Sequence, residues 1–67
     1  MSDFRSRLFS EYSDLQVKIE KLKEFMIGEK YDALPEIDRK DLKEQLGHMV
    51  KYYEVLSRRV SRQCNNA

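Results

Sequence analysis

Scarce residues limit this chain more than abundant ones do. It has no tryptophan, one proline, two glycines, one cysteine and one histidine among 67 residues. A lone Cys64 excludes an intrachain disulfide. Cys64 and His48 together fall short of a His/Cys zinc site, so no metal and no cofactor is expected. The longest uninterrupted apolar run is the three residues Phe25-Met26-Ile27, far below the roughly 20 that a membrane helix needs. Charge of one sign is lacking too: 37% of residues are charged, yet the formal net charge is +1. That balance argues against a basic nucleic-acid arm and an acidic disordered tail. Met1-Ser2-Asp3-Phe4 has no apolar signal-peptide core, and with one free thiol a cytoplasmic protein is expected, with no membrane partner.

What is present is helical periodicity. One stripe is Leu8, Tyr12, Leu15, Ile19, Leu22 and Met26; the other is Leu42, Leu46, Met49, Tyr53, Leu56 and Val60. Both alternate steps of three and four, which keep residues on one face of an α-helix and form the seam of helices packed side by side. The segment between them holds the only proline, Pro35, and one of the glycines, Gly28. The pattern predicts an all-α, two-helix antiparallel hairpin, one domain over residues 1–67. The first helix is expected over about 3–27, capped by Ser2 or Asp3 and ended by a left-handed Gly28. A linker over about 28–37 follows, with Tyr31, Leu34 and Ile37 plugging the loop end. The second helix is expected over about 38–62 with Asp38 as its N-cap, and residues 63–67 as a frayed tail. Gly47 interrupts that helix, either because a neighbouring backbone comes close or because it is merely tolerated at a cost of roughly 1 kcal/mol.

Two helices share one seam and leave their flanks wet. At about 25 cal/mol per Å², that seam hardly offsets an ordering cost of roughly 1.5 kcal/mol per residue. Phe4, Phe9, Val17 and Phe25 flank the first stripe, and Val50, Tyr52 and Val55 the second, widening each beyond a single contact. Self-association is therefore expected, most simply a homodimer forming a four-helix bundle. The candidate interface comprises Phe4, Leu8, Phe9, Tyr12, Leu15, Ile19, Leu22 and Met26 on the first helix. Leu46, Met49, Val50, Tyr53, Leu56 and Val60 supply it on the second.

Tyr12 and Tyr53 read as core or rim aromatics whose hydroxyls reach water or a carbonyl. Tyr31 and Tyr52 read as exposed or at an interface. In a hairpin, Arg5 and Arg7 approach Arg58, Arg59 and Arg62, with Asp3, Glu11 and Glu54 to offset them. These five arginines form a candidate anion- or partner-binding end, although cations also suit a helix C-terminus without any ligand. At the loop end, Glu29, Asp32, Glu36, Asp38 and Asp41 outnumber Lys30, Arg39 and Lys40. His48 and Cys64 lack the partners of catalytic groups, no phosphate loop or nucleophile motif appears, and no enzyme is expected.

The stretch DFRSRLFSEYSDLQVKIEKLKEFM, followed by LKEQLGHMVKYYEVLSRRV, resembles a family of short phage and prophage accessory proteins related to a crAss-like phage protein. Phe4, Arg7, Glu11, Tyr12, Leu15, Lys21, Leu22 and Phe25 carry the first half of that likeness. Gln45, Met49, Tyr52 or Tyr53, Leu56 and Arg59 carry the second. The resemblance implies a non-enzymatic accessory protein that acts by association to adjust host processes or the lysis–lysogeny choice. The doubled apolar stripe adds the expectation of a regulator that binds a host or phage protein. Nucleic acid or a nucleotide at the arginine-rich end is the alternative partner.

Overall fold

In the computed structural model, residues 4–65 are described, with side chains through Gln63. Three helices follow in order: α1 (Phe4–Met26), α2 (Glu29–Asp32) and α3 (Glu36–Asn65). The hairpin is a rod measuring 48 × 17 × 16 Å, and no strand occurs among the described residues.

The two expected stripes face each other. Leu8, Leu15 and Ile19 of α1 meet Leu56 of α3, which has no exposed surface, and Tyr12, Leu46, Met49, Val50, Tyr53 and Val60 pack around them. No polar or charged residue is buried among those described, so hydrophobic burial along this seam is the main cohesive term.

The connection differs from expectation. Gly28 is not left-handed: its φ of −98° and ψ of 174° are extended. The last turn of α1 instead tightens through bonds from Ile27 N–H to the Glu24 carbonyl and from Gly28 N–H to the Phe25 carbonyl, at 3.3 and 3.1 Å. Such i→i−3 closure satisfies terminal carbonyls without a positive-φ residue. The chain then makes the single turn of α2, which the sequence pattern did not reveal.

The start of α3 is also earlier than expected. Asp38 is not its cap; it lies in the first turn, where its N–H and that of Arg39 donate to the Pro35 carbonyl at 3.0 and 3.1 Å. Proline suits this place because its fixed φ costs nothing and its absent N–H is not needed there. Helix α3 continues to Asn65, through part of the expected tail. The Ser2 or Asp3 cap lies outside the described residues.

Of the three residues expected to plug the loop end, Tyr31 is buried and Leu34 half-buried, but Ile37 is 68% exposed. The expectation of Tyr31 at the surface does not hold. Its ring instead meets Phe25 edge-on, with centroids 6.2 Å apart, and its hydroxyl donates to the Arg39 carbonyl at 3.2 Å. The turn of α2 carries it inward.

Gly47 shows open space: an added Cβ there meets nothing within 4 Å. Close backbone approach within the chain is therefore ruled out. Gly47→Ala should stabilise the fold by about 1 kcal/mol through helix propensity alone, whereas Leu56→Ala should cost about 2–5 kcal/mol by leaving a cavity in the seam. Denaturant unfolding of the two variants checks both signs.

Candidate functional site

Two surfaces stand out, both set by the register of α1 against α3. The first is the open end of the hairpin. Arg5 Nε donates to Gln63 Oε1 at 3.0 Å, tying the start of α1 to the last turns of α3. The Arg59 guanidinium carbon lies 5.7 Å from the centroid of the Phe4 ring, a cation–π arrangement. Arg7 lines an open groove of about 370 Å³ with Glu11, Asp14, Lys18 and Tyr52. Arg58 and Arg62 are exposed and four residues apart on α3, hence on one side of it. The five arginines thus share an end of the rod but are spread around it. Among the described residues, Glu44 Oε2 lies 3.8 Å from His48 Nε2, one turn apart on the exposed face of α3.

The second is apolar and discontinuous, its side chains scattered over different flanks of the hairpin. Phe4, Val17, Tyr52, Phe9 and Val55 are 52%, 48%, 44%, 39% and 38% exposed. The structure also divides the candidate interface set. Leu8, Leu15, Ile19 and Leu56 are consumed inside one hairpin and cannot face a second copy while the seam is closed. Tyr12, Leu22, Met26, Leu46, Met49, Val50, Tyr53 and Val60 are half-buried. Phe4 and Phe9 remain open, joined by Val17, Tyr52 and Val55, which the sequence pattern placed only as flanking positions.

Between the surfaces runs a tyrosine cluster. Tyr12 and Tyr53 stack with centroids 4.8 Å apart and planes 11° from parallel. Their hydroxyls do not reach for a carbonyl: Tyr53 donates to the Tyr12 oxygen at 3.0 Å. Tyr52, the next residue, donates to a carboxylate oxygen of Glu11. Neither pairing was legible in the sequence, since both depend on the level at which one helix meets the other.

These bonds separate the tyrosines electrostatically. The bond from Tyr53, and next one from Ser57, hold the Tyr12 phenol below its ordinary 10.0. Donation to Tyr12 pushes Tyr53 up, and donation to the Glu11 carboxylate pushes Tyr52 up. The stacked pair should therefore lose one proton below the usual tyrosine range and the second above it. For Tyr52 the folded value exceeds the unfolded one, so the Glu11 bond stabilises fully below about pH 10 and is lost as pH rises through the raised value. A tyrosinate absorbance titration should show late ionisations from both Tyr52 and Tyr53, and Tyr52→Phe should remove one of them while the other persists.

Among the described residues, no group of three or more His, Cys, Asp or Glu side chains could hold a metal ion. No described helix is long and apolar enough to cross a membrane. His48 stands in solvent beside Glu44, and the side chain of Cys64 lies outside those described.

No curated protein and no solved structure matches the chain. A family model described as Sequestin matches residues 2–62, a span that takes in the open end, both helices of the seam and the loop; the chain belongs to the Sequestin family.

Proposed function

We propose that this protein is a non-enzymatic binding module that self-associates through its apolar flanks and acts by holding a host or phage protein. The observation that carries this reading is the uncovered apolar surface. Phe4, Phe9, Val17, Tyr52 and Val55 stay exposed on a chain whose central cluster buries Leu8, Leu15, Ile19 and Leu56, of which Leu56 alone is fully buried. Exposed aromatics on a small scaffold with so thin a core favour association over solitude. The family name, Sequestin, accords with retention of a partner rather than its conversion. The phage or prophage setting rests on the resemblance carried by Phe4, Arg7, Glu11, Tyr12, Gln45, Met49 and Arg59.

A second reading is favoured by the arginine-rich end. Arg7, Arg58 and Arg62 are exposed, and Phe4 adds an aromatic face beside Arg59. Guanidinium groups next to a ring suit a nucleic-acid phosphate or a nucleotide. In this reading the sequestered partner is an anion.

Light scattering decides the first claim: about twice the 8.1 kDa chain mass supports it, and the single-chain mass at every concentration contradicts it. Retention of DNA, RNA or cyclic nucleotides at low salt, weakening as salt rises, favours the arginine end. Replacing Arg58, Arg59 and Arg62 together by Ala should then abolish retention while leaving helicity intact. No retention at low salt removes that reading.

A further inference from the structure

Helix α3 carries a second stripe beside the apolar seam, which reaches α1 through Tyr52 and Arg59. Asp41, Gln45, His48, Tyr52, Val55 and Arg59 step by four, three, four, three and four, the spacing of a helix–helix seam. In one chain the first five are exposed and Arg59 is half-buried. One half of the stripe is concave: residues from Asp41 to Tyr52 line an open groove of about 480 Å³. The other half presents Val55 and Arg59.

The stripe is complementary to its own reverse. About a midpoint at Val50, Asp41 mirrors Arg59, Gln45 mirrors Val55, and His48 mirrors Tyr52. A second α3 laid antiparallel therefore sets Arg59 of each copy against Asp41 of the other and brings Tyr52 and Val55 to the groove. A parallel arrangement instead sets Asp41 against Asp41 and Arg59 against Arg59, which like-charge repulsion disfavours. The whole rod has the same polarity. By sequence, its open end carries five arginines against Asp3, Glu11 and Glu54, and its loop end carries Glu29, Asp32, Glu36, Asp38 and Asp41 against Lys30, Arg39 and Lys40. Antiparallel packing places unlike ends together.

We infer that a second copy of this chain docks on the Asp41–Arg59 stripe of α3, antiparallel and about a two-fold axis that crosses the stripe midway between His48 and Tyr52. The inference rests on the self-association proposed above and adds its face and direction. Arg59 can serve both partners, since Phe4 engages the face of the guanidinium and leaves in-plane donors for a carboxylate.

Charge reversal tests it. Asp41→Arg, Arg59→Asp and the double variant are compared by sedimentation equilibrium, with helicity followed by circular dichroism. Each single reversal should weaken self-association by about tenfold, and the double should regain most of that loss because the pairs form again across the two copies. A double variant no tighter than the weaker single overturns the inference. A dimer indifferent to every reversal also overturns it, and leaves self-association standing through another face. A chain that is monomeric throughout overturns both. If Arg59→Asp loses helicity, Val55→Glu, exposed and outside the seam, takes its place: dissociation at native helicity supports the face, and undiminished association overturns it.

Discussion

The seam between α1 and α3 is a single line of side chains, and that narrowness governs everything else. Each helix of a two-helix hairpin touches one neighbour, so only one stripe per helix can be dried. Leu56 achieves this completely and Leu8 nearly so, but Phe4, Phe9, Val17 and Val55 do not. A third or fourth helix is the physical remedy, because only added helices create new seams. Among the described residues, α1 and α3 are the long helices, and both are already engaged in the one seam. An unmatched apolar flank thus follows from the two-helix arrangement itself.

The polar features follow from the same register. Because α1 and α3 meet with Tyr12 beside Tyr53, Glu11 falls within reach of Tyr52, and Phe4 within reach of Arg59. These bonds fringe the seam and hold the tyrosines and arginines in fixed places without burying a charge. Surface pairs of this kind contribute little to stability. Their use is to fix the shape of the surfaces that a partner meets.

Much of the fold was legible because burial on one face leaves a period in the sequence. The stripes Leu8–Met26 and Leu42–Val60 located both helices and their pairing. The ends were less legible, since termini are decided by local competition. The Pro35 carbonyl displaced Asp38 as the start of α3, and tightened bonds at Glu24 and Phe25 removed the need for a left-handed Gly28. Tyr31 escaped the pattern because α2, too short for any period, turned it inward. For the site, periodicity located the exposed aromatics and the arginine-rich end, but not the Tyr52–Glu11 or Tyr53–Tyr12 bonds. Those depend on an axial offset that only the loop's actual path determines.

In the proposed assembly, a second copy covers the flanks that so narrow a seam leaves wet. Thermal unfolding followed by circular dichroism over a hundredfold range of chain concentration tests this most directly. Mass action requires the midpoint to climb with concentration if association stabilises the folded state. A midpoint that stays fixed across the range would mean that the hairpin needs no partner of its own kind.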